Sequence, residues 1–110
     1  MCESIKTLNE ENFNAVIQDE KLTLVCFSAS WCGPCKALHP IIEEIGREKS
    51  GEMNVCFADV DDCIAPSENY RVMSVPTIII FKEGSVCERT VGYKSKADIL
   101  AIIDKHSKKQ

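Results

Sequence analysis

Leu22-Thr-Leu-Val-Cys26-Phe-Ser-Ala-Ser-Trp31-Cys32-Gly33-Pro34-Cys35-Lys36 is an apolar run that ends in two cysteines three positions apart. The run from Leu22 to Phe27 predicts a short buried strand. The residues after it predict the start of a helix, with Cys32 as the capping residue and Gly33, Pro34 and Cys35 in the first turn. Pro34 suits that turn because its missing N–H would have no helical partner there. Two cysteines at this spacing share one face and lie within disulfide reach. The unpartnered N–H groups of the turn, together with the positive end of the helix dipole, favour a thiolate at Cys32. Cys32 is therefore predicted to be a nucleophile at neutral pH, in a pair that cycles between dithiol and disulfide. Gly33 leaves room for another backbone to approach.

Working outward, Ser4 to Leu8 predicts a first strand. Asn9 predicts the cap of a helix carrying Phe13, Val16 and Ile17 as far as about Asp19. Beyond the cysteines, Leu38, Ile41, Ile42 and Ile45 form one apolar helical stripe. Pro40 is expected to kink that helix, and Gly46 or Gly51 to end it. Met53 to Val60 predicts a third strand, completing a β-α-β-α-β series of parallel strands. Asp59, Asp61 and Asp62 then read as a solvated acidic turn, and Ala65 to Tyr70 as a short helix. Thr77 to Lys82 and Val86 to Val91 flank Glu83-Gly84-Ser85 as an antiparallel hairpin. Ser95 and Asp98 form a capping-box pattern before Ile99, Ile102 and Ile103, and Lys105, Lys108 and Lys109 suit the negative end of this last helix. The sum is an α/β chain: one domain over residues 1–110, with a central mixed sheet of about five strands and helices on both faces.

The 110 residues suffice for one core without disulfide staples. A net charge of -4 with a pI near 5.2 argues against nucleic-acid binding, which needs a basic footprint. No apolar run approaches the roughly 18 residues of a membrane span, and the first residues show no secretory signal, so a cytoplasmic protein is expected. Seven cysteines, an odd number, lack the spacing of a disulfide framework apart from the one pair. Cys26 and Cys56, inside strand patterns, read as small buried hydrophobes. Cys2 and Cys87 receive no role.

Trp31-Cys32-Gly33-Pro34-Cys35-Lys36 after an apolar strand resembles the active site of the thioredoxin family, itself a standard case of a lowered cysteine pKa. The resemblance extends through Val75-Pro76-Thr77, Phe81-Lys82, Gly84 and Val91-Gly92, nearly the whole chain. It implies the thioredoxin fold, a cis bond at Val75-Pro76, and a substrate surface formed by Trp31, Gly33, Pro34, Val75, Pro76 and Gly92 around Cys32. It also implies the activity of a general protein-disulfide reductase and electron carrier, with no bound cofactor. Its partners would be a separate NADPH-dependent thioredoxin reductase and disulfide-containing targets such as peroxiredoxins and reductases. A monomer is expected.

The chain also departs from the family. Cys26 and Phe57 stand where many members carry a buried aspartate and a lysine, an apolar replacement of a core ion pair. Without the carboxylate, Cys35 is expected to lose its proton less readily and the resolving step to slow. Phe27-Ser28-Ala29-Ser30 and Val60-Asp61-Asp62-Cys63 look more like eukaryotic cytosolic members than bacterial ones. Cys63 matches an extra, regulatory cysteine of some animal members and is expected to be accessible in its polar turn. Three other readings compete: a metal module built on Cys32, Cys35 and His39, which lacks a fourth ligand; an oxidase or isomerase, whose motif usually carries a histidine between the cysteines; and a redox-regulated binding module of the same fold.

Overall fold

The computed structural model describes residues 5–107. Five strands and four helices alternate as β1 (Ile5–Leu8), α1 (Phe13–Ile17), β2 (Thr23–Ser28), α2 (Gly33–Glu48), β3 (Asn54–Asp59), α3 (Ile64–Asn69), β4 (Thr77–Lys82), β5 (Ser85–Val91) and α4 (Lys96–Ser107). The strands form one sheet in the order β1-β3-β2-β4-β5. β1 and β2 both run parallel to β3, while β4 runs antiparallel to β2 and to β5. The expected mixed sheet is present, with β2 at its centre.

The central strands are apolar at nearly every position because both faces of the sheet are covered. Leu24 and Cys26 of β2, Val55 of β3, and Ile78 and Ile80 of β4 pack on one face against Leu38, Ile42 and Ile45 of α2 and Ile99 and Ile103 of α4. Val25 and Phe27, Cys56 and Ala58, and Ile79 and Phe81 face the other side, against Phe13 and Ile17 of α1. There Phe13 meets Phe27 and Phe81 with ring centroids 5.9 and 6.0 Å apart, and Tyr70 meets Phe81 edge-on at 5.1 Å.

Four boundaries differ from expectation, each for a local reason. The Asn9 side chain accepts N–H groups of Glu11 and Asn12, and the Asn12 side chain accepts that of Asn9, closing a turn so that regular helix begins only at Phe13. At its other end α1 stops at Ile17 rather than Asp19, because the Ile17 and Asp19 carbonyls accept hydrogen bonds from Gly84 (2.8 Å) and Glu83 (3.1 Å) of the β4–β5 turn. Glu83 and Gly84, both at positive φ, make that turn a two-residue hairpin, and Ser85 already belongs to β5. Gly46 does not end α2. It lies inside the helix where β1 approaches, and a Cβ there would stand 2.6 Å from Cγ1 of Ile5.

Helix α2 continues through Pro40 to Glu48. In α4 the Ser95 hydroxyl accepts the Asp98 N–H at 3.2 Å, as the capping pattern requires. Ser95→Ala should lower stability by about 1 kcal/mol, read as a lower urea midpoint at unchanged slope. An unaltered midpoint would show that the cap contributes nothing. Arg89 of β5 reaches the carbonyls of Tyr70 and Arg71 just past α3, satisfying acceptors that the helix leaves open. Lys105 and His106 meet Glu88 at 3.2 and 2.7 Å. Ser4, Lys108 and Lys109 lie outside the described residues, as does Cys2.

Candidate active site

Strand β2 leads from the middle of the sheet into Ala29, whose carbonyl accepts the Cys32 N–H at 3.1 Å and turns the chain into α2. Cys32 is the N-cap in extended conformation (φ -94, ψ 117), and its Sγ accepts the N–H of Cys35 at 3.2 Å. A sulfur bearing negative charge at this position receives an amide hydrogen bond and the positive end of a 16-residue helix. Cys32 and Cys35 are joined as a disulfide with Cα atoms 5.3 Å apart. Cap and first turn fall on the residues expected, while the strand runs from Thr23 to Ser28, one residue later at each end than the expected Leu22 to Phe27.

Two further segments close on this pair. The Val75–Pro76 bond is cis, and the Val75 carbonyl oxygen lies 3.7 Å from Cys32 Sγ. Val75 also packs with Ala29, Cys32 and Cys35 in a small apolar cluster. Thr77 donates its hydroxyl to the Ser74 carbonyl at 2.7 Å, bracing the loop. Gly92, at φ +92, donates its N–H to the Pro76 carbonyl at 2.8 Å, which ties the end of β5 to the same place. A residue other than glycine would be strained there.

Trp31 is 67% exposed, and Gly33 and Pro34 are open to solvent. Pro76, expected on the binding surface, is buried, and its carbonyl accepts the Gly92 N–H. Cys32 itself is only 6% exposed. Met73 and Tyr93, exposed apolar side chains on the two converging loops, went unnoticed in the sequence because they fall between elements where no period marks them.

Behind the pair, Cys26 of β2 lies in register with Phe57 of β3 and Ile78 of β4. Burial pushes the Cys26 thiol up to about 12 and that of Cys56, also deep in the sheet, to about 12. The expectation for Cys63 is corrected. It is fully buried at the start of α3, with its Sγ directed at the Leu8 carbonyl 3.4 Å away. Burial, then the charges of Asp62, Glu10 and Asp59, raise its thiol to about 11. It is a core thiol rather than an accessible one. Among the described residues, no three His, Cys, Asp or Glu side chains converge as a metal site.

The sequence pattern of the thioredoxin family matches residues 4–105. The chain belongs to the thioredoxin family. It is 42% identical over 103 residues to a thioredoxin of Chlamydia caviae, covering 94% of this chain and 99% of that one. It is 37% identical to a thioredoxin of Staphylococcus saprophyticus and 34% identical to one of Staphylococcus aureus, each over 103 residues that cover 94% of this chain and 98% of the relative. These relatives are bacterial. Thioredoxins are protein-disulfide oxidoreductases, and the Cys32–Cys35 pair at the head of α2 is a redox-active dithiol of that type.

Proposed function

We propose that this chain is a general protein-disulfide reductase and electron carrier in which Cys32 attacks and Cys35 resolves. The observation that carries the reading is the hydrogen bond from the Cys35 N–H to Cys32 Sγ at the helix N-terminus. It favours the outer sulfur as the anion, and thiolate is the form that attacks a disulfide. In the first step the Cys32 thiolate bonds to one sulfur of a target disulfide and the other sulfur leaves as thiolate. In the second, Cys35 gives up its proton and bonds to Cys32, and the remaining target sulfur leaves with the electron pair. The target is reduced by two electrons and the pair is oxidised.

Targets would dock on Trp31, Gly33, Pro34 and the exposed backbone at Val75 and Gly92, contacts that read main chain more than side chains and so admit many extended segments. Restoring the dithiol falls to a thioredoxin reductase drawing on NADPH. Peroxiredoxins and other reductases are the target classes, the carrier acts as a monomer, and the compartment is the cytoplasm. Cys26, Cys56, Cys63 and Cys87, all free thiols, support a reducing location. No helix among the described residues is long and apolar enough to cross a membrane. The test is coupled turnover: NADPH and a thioredoxin reductase should reduce insulin disulfides at a rate proportional to added protein. A dithiol that forms but passes no electrons to insulin would remove the carrier role.

A further inference from the structure

Cys35 opens into a recess of about 340 Å³ lined also by Ser28, Ser30, Lys36, His39 and Asp59. Among the residues lining it, His39 is the one whose ordinary pKa lies near neutrality. His39 follows Cys35 by one helical turn, and two contacts hold its ring. It stacks on Phe57 with centroids 4.1 Å apart and planes 6° from parallel, and its Nε2 lies 3.2 Å from the Glu43 carboxylate. A carboxylate can only accept, so Nε2 carries the hydrogen and Nδ1 keeps the basic lone pair of the neutral ring. Cys35, His39 and Glu43 thus succeed one another at four-residue steps along one helix face.

We propose that His39, held by Phe57 and Glu43, takes the proton of Cys35 through water in this recess during the resolving step. The inference rests on Cys35 being the resolving thiol. In that step the Cys35 S–H proton passes to His39, the Cys35 sulfur bonds to Cys32, the bond from Cys32 to the target breaks, and the departing target thiolate recovers a proton from the imidazolium. No electrons beyond those of the exchange are needed. Other groups fit the task less well. Asp59, on β3, already has its carboxylate engaged by the Asp61 N–H at 2.8 Å. Lys36, on α2, is a cation at neutral pH. The β2 end and its loop contribute only the hydroxyls of Ser28 and Ser30, and Cys26 beneath them is a neutral thiol in apolar surroundings. Glu43 meets the ring at Nε2 from the same helix, while Asp59 lines the recess from β3.

The experiment tracks a single turnover of the reduced protein with excess disulfide peptide, quenched in acid and alkylated at successive times, between pH 5.5 and 8.5. Resolution of the mixed disulfide by the wild type should rise with pH through an inflection that belongs to His39. His39→Gln should resolve roughly 10- to 100-fold more slowly at pH 7 and lose that inflection. Imidazole in the buffer should restore speed to His39→Ala. Resolution by His39→Gln at the wild-type rate, or slowed with its pH profile intact, would overturn the proposal. Cys35→Ser is the separate control for the underlying reading: if it does not trap the mixed disulfide, the assignment of Cys35 fails independently of His39.

Discussion

Cys35→Ser should reduce steady-state disulfide reduction by on the order of 10³-fold or more while leaving Cys32 able to attack. The two cysteines are not equivalent in the fold. Cys32 is the cap, accepts the Cys35 N–H, and lies beside the Val75 carbonyl and the exposed Trp31. Cys35 lies in the first turn of α2, equally 6% exposed, and donates its N–H to the Cys32 sulfur instead of accepting one. A hydroxyl at position 35 cannot displace a sulfur, so the mixed disulfide should accumulate and be visible by mass as one target per chain. Cys32→Ser should give neither turnover nor adduct. The reverse pattern, with an adduct on Cys35 in Cys32→Ser and none in Cys35→Ser, would exchange the two roles.

Cys26→Asp should destabilise the fold by about 3–5 kcal/mol at neutral pH, the usual consequence of an uncompensated buried charge. The side chain is 2% exposed, among Leu24, Ile78, Ile80 and the apolar side chains of α2, and its register partner across β3 is Phe57 rather than a cation. The same surroundings already hold the native thiol neutral. Burial would raise the carboxyl pKa above its unfolded value of about 3.9. Below about pH 3.9 the carboxyl is protonated in both states, and only the polar burial is felt. As pH climbs toward the raised folded pKa the unfolded state ionises first, and the loss relative to wild type grows until it levels off above that pKa. Urea titrations of both proteins at pH 3.5 and pH 8 measure the difference, and a loss equal at both would show that the site solvates a charge. Release of the mixed disulfide can be timed in the same variant; a carboxylate that takes the Cys35 proton would speed it, and an unchanged rate would count against that route.

The junction at Cys32 was legible because three independent signals coincide there: the end of an apolar run, a cap, and a proline where an N–H is dispensable. Leu38, Ile42 and Ile45 likewise announced their face of α2, since a 3.6-residue period has few other meanings. The errors share a cause. Cys63 comes after Asp61 and Asp62, so its neighbours in sequence are polar, but the turn directs its sulfur at Leu8, which is 55 residues away. Gly46 looked like a helix terminator because nothing local could reveal that Ile5 would press against it. The stack of His39 on Phe57 was out of reach for the same reason. Phe57 belongs to a strand paired through the sheet, and no pattern along one segment reports a stack between two. Sequence periodicity states which side of an element is apolar; it is silent on which residues of separate elements will touch.

The sheet has two free borders, and neither invites another strand. β1 is four residues long and carries Lys6, while β5 carries Glu88 and Arg89, pairs with β4 through an irregularity at Ile80/Phe81, and has its arginine drawn across to the loop after α3. Shortness, charge and irregular twist are the devices that keep exposed sheet margins from zipping onto their copies. For a chain that exchanges disulfides with other polypeptides this matters: with margins that resist strand addition, a liaison made through the sulfurs can end by exchange instead of growing into a fibre.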